Sequence, residues 1–191
     1  MNRIGKVEYY LNIAREASRR GTCLRRNYGA VIVQNDRIVS TGYTGAPEGR
    51  FNCCDLGKCK RVEMNIPSGQ RYELCQSVHA EQNAIISAGR EKTLGSTLFL
   101  YGFEVETGKS VKFAEPCLFC ERFILNAGIK EVKSFVDFES IEEYTEYLSQ
   151  NPNTDKSRID ILSSNDGEKP LFVKTVFVDK AYTDPIKLTQ I

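Results

Sequence analysis

The sequence predicts an α/β protein, a three-layer α/β/α sandwich around a mixed sheet, and three observations carry that prediction. Two β-branched runs, Ala30-Val31-Ile32-Val33 and Arg37-Ile38-Val39-Ser40-Thr41, flank Gln34-Asn35-Asp36 and read as an antiparallel hairpin. Two helix-then-strand units follow, over residues 79–101 and 117–136, and strands joined through a helix normally run parallel with a right-handed crossover. The chain has 191 residues, 41% hydrophobic and 27% charged, which is enough to bury one core without disulfides and too little for a second large domain. Residues 1–150 are expected to form the domain, with 151–191 as a C-terminal extension packed on it.

Each element has its own signal. Val7, Tyr10, Leu11, Ala14 and Ala17 recur at helical spacing and predict a first amphipathic helix over 4–20, ended by Gly21. After the hairpin, Gly42-Tyr43-Thr44-Gly45-Ala46-Pro47 is either a plain turn or a place where backbone approaches a ligand closely. Residues 46–78 show no periodicity and hold Cys53, Cys54, Cys59 and Cys75; a connection this long is usually functional or tied down. Ala80, Ala84, Ile85 and Ala88 predict a helix that starts at His79 and stops near Gly89. Thr97 to Tyr101 is a strand, and Thr107-Gly108-Lys109 reads as the turn of a hairpin returning through Ser110 to Ala114. Phe119, Phe123, Ile124 and Ala127 place a helix over 117–127 with Gly128 as its stop, before a strand at Val132 to Val136. Ile141, Tyr144 and Leu148 mark a further helix broken by Asn151-Pro152, and Leu171 to Val178 is an extra strand in a polar tail.

Composition narrows the function. A net charge of +1 argues against a nucleic-acid partner, and no apolar run approaches the roughly 18 residues of a membrane span. The first residues lack a hydrophobic signal core, so a cytoplasmic, reducing compartment is expected and disulfides are disfavoured. Seven cysteines with one histidine then point to metal ligation or catalysis.

The chemistry concentrates in two short stretches, His79-Ala80-Glu81 and Pro116-Cys117-Leu118-Phe119-Cys120. Cys117 and Cys120 are three apart in the first turn of a helix, which brings both sulfurs to one side, and the positive end of the helix dipole favours their thiolates. With His79 they make three ligands for a tetrahedral Zn²⁺ whose fourth position stays open to water, the arrangement of a catalytic zinc. Glu81, two positions after His79, points away from it on a regular helix and is free to carry a proton between water, a ring nitrogen and leaving ammonia. A structural site completed by another cysteine is the alternative for these residues. Thiolates of the 46–78 segment can in turn close that loop on a second, structural zinc, with Cys23 available as a further ligand; reduced, inert thiols are the other reading.

With these residues in view, the sequence resembles the deoxycytidylate (dCMP) deaminases of the zinc-dependent cytidine deaminase superfamily, whose signature is His-x-Glu followed by Pro-Cys-x-x-Cys. The resemblance runs from about Ala14 to Val136. It is carried by Thr22-Cys23-Leu24-Arg25, by Tyr28 to Val33, by Gly42 to Pro47, by Cys54, Cys59 and Cys75, by Val78 to Ile85 and by Asn126-Ala127-Gly128-Ile129-Lys130. It implies a cytidine-deaminase-like, five-stranded sheet and hydrolytic conversion of dCMP to dUMP with release of ammonia. It also implies a homo-oligomer, commonly a hexamer, and dCTP and dTTP as allosteric effectors. Carried over by position, a structural zinc is implied at Cys23, Cys54, Cys59 and Cys75, leaving Cys53 spare. Arg25 holds the position of a phosphate-binding arginine, or is a solvated surface residue; Ala80 is placed among the substrate contacts. Thr44 stands where the family usually has an Asn that contacts the deoxyribose, so the sugar contact or the substrate differs. A Tyr-Arg pair that some relatives use for the phosphate is replaced by Asp137-Phe138-Glu139, the 101–115 segment is longer than usual, and the tail beyond 150 lies outside the resemblance. Deamination of another amino-heterocycle and a non-catalytic, zinc-stabilised nucleotide-binding module are the competing functions.

Overall fold

A computed structural model describes residues 3–67, 69–151, 159–162 and 170–178. Helix α1 (Lys6–Ser18) buries Tyr10, Leu11, Ala14 and Ser18 on one stripe. Strands β1 (Arg26–Gln34) and β2 (Arg37–Tyr43) form the expected hairpin, with Asn35 and Asp36 both at positive φ, as a two-residue turn matched to strand twist requires. The 46–78 segment contains helices α2 (Cys53–Leu56) and α3 (Lys60–Glu63) and a 3-10 turn at Tyr72–Leu74, each too short to leave a periodic trace. Then come α4 (Ala80–Ala88), α5 (Arg90–Thr93), β3 (Thr97–Glu104), α6 (Leu118–Asn126), β4 (Glu131–Val136), α7 (Ile141–Gln150), β5 (Ile159–Leu162) and β6 (Leu171–Phe177).

The sheet is mixed and has six strands in the order β2-β1-β3-β4-β6-β5, with β3 and β4 parallel and every other pair antiparallel. The sixth strand is β5, whose four residues are too few to show alternation in the sequence. The extra strand at the C-terminal end is β6, which pairs with β4 over Phe172 to Phe177 and so extends the central sheet. The expected return through Ser110 to Ala114 is not a regular strand. It makes single bridges, from Ser110 to Phe103 and from Phe113 to Val136, as it crosses from β3 to β4.

Both faces of the sheet are covered, which is why its central strands read as unbroken apolar runs. Ala30, Ile32, Leu98, Leu100 and Val132 pack with Ala80, Ala84 and Ala88 of α4 and Ile124 of α6. The alternate residues Val31, Val33, Phe99 and Tyr101 pack with Tyr10, Leu11 and Ala14 of α1 on the other side. Helix α7 adds Tyr144 against Val136, Phe138 and Phe172. Two glycines set the helices this close. A Cβ on Gly29 would lie 2.0 Å from the Ala14 carbonyl oxygen, and one on Gly42 would lie 2.3 Å from the Ala80 carbonyl oxygen and 2.4 Å from the Ala84 nitrogen. Gly42 is therefore a strand residue that admits α4, not the turn residue its surroundings in the sequence suggest. No helix among the described residues is long and apolar enough to cross a membrane.

Candidate active site

Helix α4 is anchored to the hairpin at its first turn. Gly45 and Val78 exchange backbone hydrogen bonds at 3.2 and 2.7 Å, Asn83 Nδ2 donates to the Tyr43 carbonyl at 2.8 Å, and Ser40 Oγ donates to the Ala84 carbonyl at 2.8 Å. His79 follows Val78 directly and is the N-cap of α4, with its own N–H donating to Gln82 Oε1 at 3.4 Å. Cys117 is the N-cap of α6, and Cys120 lies in its first turn, fully buried. Two helix starts thus converge, as their spacing in the sequence predicts.

His79 Nδ1 lies 3.5 Å from Cys117 Sγ and 3.3 Å from Cys120 Sγ. A tetrahedral zinc with Zn–S of about 2.3 Å and Zn–N of about 2.0 Å sets its N and S ligands about 3.6 Å apart, so the donor set fits that ion. Among the described residues these three are the one group of three or more metal donors with ligand atoms all within 4.8 Å of one another. Their charges are linked. The hydrogen bond with Cys120 lowers Cys117 to about 4 and raises Cys120 in turn, so the pair holds one thiolate readily. Burial pushes His79 down, but its hydrogen bond to Cys117 and the charges of Glu81 and Cys117 outweigh it and the imidazole is raised.

Glu81 is the second residue of α4 and only 3% exposed, yet it lines the cleft beside His79 and Cys117. Burial raises its carboxyl above the ordinary range. A carboxyl raised by burial beside the metal donors suits proton transfer to a bound substrate. Ala80, the first residue of the helix, is fully buried under Gly42, and its N–H is one of the helix-start donors without an intrahelical partner.

The rest of the cleft lining comes from the stretch between Cys23 and Tyr28, from Thr44 and from the cysteine-rich segment. Arg25 is half-buried, lines the cleft and makes no ion pair among the described residues, whereas its neighbour Arg26 is committed to Glu104 at 2.7 Å. Thr44 is buried, and its Oγ1 accepts the Tyr28 N–H at 3.1 Å, which ties the end of β2 to β1. Its hydroxyl serves the mouth of the hairpin as well as facing the cleft.

Cys23, Cys59 and Cys75 line the cleft, but Cys54 is exposed, with Sγ 3.6 Å from Asp55 Oδ1. Cys53, expected to be spare, is 3% exposed, with Sγ 3.7 Å from Ser77 Oγ. Burial raises its thiol, and the charges of Cys23, Cys75 and Cys59 act on it as well. Adjacent residues of a helix point about 100° apart, so only one of the two can turn inward from α2, and it is Cys53.

Sequence reasoning missed Tyr28, Arg61, Tyr72 and Glu115, all of which line the cleft. Tyr72 meets the His79 ring edge-on with centroids 4.8 Å apart, and Arg61 lies over the Tyr72 ring at 4.6 Å. The position of Arg61 two residues after Cys59 was a usable signal, since whatever orders that cysteine also orders its neighbour.

Sheet, helix starts and donor set together define a metal-dependent α/β protein with a buried carboxylate beside the metal position. The family model described as "Cytidine and deoxycytidylate deaminase zinc-binding region" matches residues 5–136. The chain belongs to that family. It is 35% identical over 136 residues to the deoxycytidylate deaminase of Mycobacterium phage D29, covering 69% of this chain and 95% of the phage protein. It is 34% identical over 142 residues to that of Schizosaccharomyces pombe, covering 74% of this chain but 40% of the yeast protein. The dCMP deaminase of cyanophage S-TIM5, solved in complex with dCMP and dUMP, is 25% identical, with 78% of this chain and 94% of that chain covered and a TM-score of 0.47.

Proposed function

We propose that this chain is a zinc-dependent hydrolase that deaminates dCMP to dUMP. The observation that carries this reading is a buried Glu81 beside a His/Cys/Cys donor set, in a cleft that also presents Arg25, which has no ion-pair partner among the described residues. A purely structural metal site has no use for such a carboxylate. The relatives that share the family fold and carry the deoxycytidylate deaminase name support the choice of substrate.

His79, Cys117 and Cys120 would hold the ion, which when bound supplies Lewis-acid activation of water. Glu81 takes a proton from the attacking water, passes it to the cytosine ring nitrogen and then carries one to the departing ammonia. The helix-start N–H of Ala80 would fix the pyrimidine, and Arg25 would take the 5′-phosphate with its forked guanidinium. Thr44, shorter than an Asn and already bonded to Tyr28, leaves the deoxyribose to other groups, which makes the substrate panel informative.

A second, structural zinc belongs to the same reading, with Cys53 in place of Cys54 beside Cys23, Cys59 and Cys75. What supports it is that Cys23, Cys59 and Cys75 line one cleft and that Cys53, from the same segment, is buried. A homo-oligomer is supported by Ile86 at 70%, Leu118 at 63% and Phe119 at 43% exposure on α4 and α6, side chains that water alone would not favour.

Incubation with dCMP, CMP, cytidine and cytosine, following ammonia and the ultraviolet change, tests the function. Turnover of dCMP above the others is expected. If dCMP is untouched while another heterocycle reacts, the substrate assignment fails; if none reacts on zinc-loaded protein, the binding-module alternative takes its place.

A further inference from the structure

Arg61 is a charged side chain in an unusual position. It is 6% exposed, lines the cleft with Arg25, and has no carboxylate partner among the described residues. Its Nη2 donates to the carbonyls of Pro67 at 2.8 Å and Gln70 at 2.6 Å, and its plane lies over Tyr72. Its Nε–H is buried with no hydrogen-bond partner among the described residues. Two acids of the same segment pair with other cations: Glu63 with Lys58 at 3.8 Å and Glu73 with Arg71 at 2.7 Å. A buried guanidinium without a counter-ion is costly, and two carbonyls and a ring face compensate it only in part.

We infer that Arg61 is a second anion ligand of the cleft, which with Arg25 receives the phosphate of the nucleotide substrate. The inference rests on the nucleotide deaminase reading and extends it to a residue that reading does not need. Its logic is geometric. The two carbonyls and Tyr72 fix the guanidinium plane, so its remaining N–H groups, on Nε and Nη1, are preorganised and a bound oxyanion satisfies them with little further ordering. It also gives the cysteine-rich segment a function beyond stability. Arg61 sits two residues after Cys59, and Tyr72, three before Cys75, touches both Arg61 and His79, so cross-linking those cysteines through a metal would hold the arginine in the cleft. The phosphate site would then be supplied by the loop, where the Tyr-Arg pair after β4 is absent.

The test uses the zinc-loaded full chain. Arg61→Ala is expected to raise KM for dCMP roughly 10- to 100-fold, the range of a lost charge-assisted hydrogen bond, with a much smaller change in kcat. Because Arg61 also staples the loop, the wild type is read directly. In protein labelled with ¹⁵N at arginine Nε, the Arg61 Nε–H resonance, assigned by its loss in Arg61→Lys, should shift on addition of dUMP and stay in place with deoxyuridine. A resonance that ignores saturating dUMP, or an Arg61→Ala enzyme with full zinc content and unchanged KM, overturns the inference and leaves Arg61 as a staple of its own loop. A wild type that binds dUMP through Arg61 but does not turn over dCMP defeats the deaminase reading and not this one.

Discussion

The two walls of the cleft are built by different means. One wall is regular structure: His79, Glu81, Cys117 and Cys120 stand on the first turns of α4 and α6, which lie on the sheet through alanines and through Gly42. The other wall is a segment of short turns whose buried contacts are thiols, a stapled arginine and backbone carbonyls. Geometry held by packing tolerates little displacement, which suits proton transfer and metal chemistry. Geometry held by short turns and a few polar contacts can be rebuilt around another substrate without disturbing the core. The reaction should therefore follow the first wall and the substrate the second.

The sharpest way to break this division is at Glu81. Glu81→Gln keeps the shape and removes the titratable group, so kcat should fall about 10²- to 10⁴-fold with zinc content intact, checked by steady-state assay and metal analysis. Next comes the support of that wall. Gly42→Ala drives a Cβ into the Ala80 carbonyl and Ala84 amide, and backbone on both sides leaves no flexible group to yield. It should cost about 3 kcal/mol in denaturant unfolding and loosen His79, with weaker retention of the catalytic ion against a chelator. On the loop wall, Cys53→Ser should lower zinc from two per chain to one, whereas Cys54→Ser should leave both, because Cys54 faces solvent. Equal loss from both variants would mean that α2 rearranges to present either thiol.

Distant from both walls, Asp36 accepts hydrogen bonds from Lys6 and, at 2.8 Å, from the Tyr10 hydroxyl. Lys6 first, and then Tyr10, hold its carboxyl below the ordinary range. A depressed carboxylate contributes stability that is present above its ordinary pKa and lost as pH falls through its folded one. Asp36→Asn should therefore lower the melting temperature slightly at neutral pH, with the difference vanishing in acid and activity unaffected. The pair is solvent-exposed, so the effect is the smallest of the set.

What could be read from the sequence divides along the same line. Periodicity and spacing locate α1, α4, α6 and the parallel β3–β4 pair, because each buries a regular face, and the His/Cys/Cys set with its free glutamate follows from helix geometry. The loop wall leaves no such trace. Nothing periodic distinguishes Cys53 from Cys54, and only the direction of a four-residue helix decides which one turns inward. Arg61 reads as one more surface cation until its burial and its carbonyl partners are visible. Strand β5 is too short to announce itself, and residues 152–158, 163–169 and 179–191 of the expected extension lie outside the described residues.

The most direct measurement compares zinc-loaded wild type with Glu81→Gln in a dCMP assay that records ammonia and dUMP together, with zinc per chain measured on the same samples. The account predicts stoichiometric ammonia and dUMP from the wild type and a loss of at least about 10²-fold in the variant at equal zinc. Equal rates in the two proteins, or a zinc-loaded wild type that leaves dCMP intact, would contradict it.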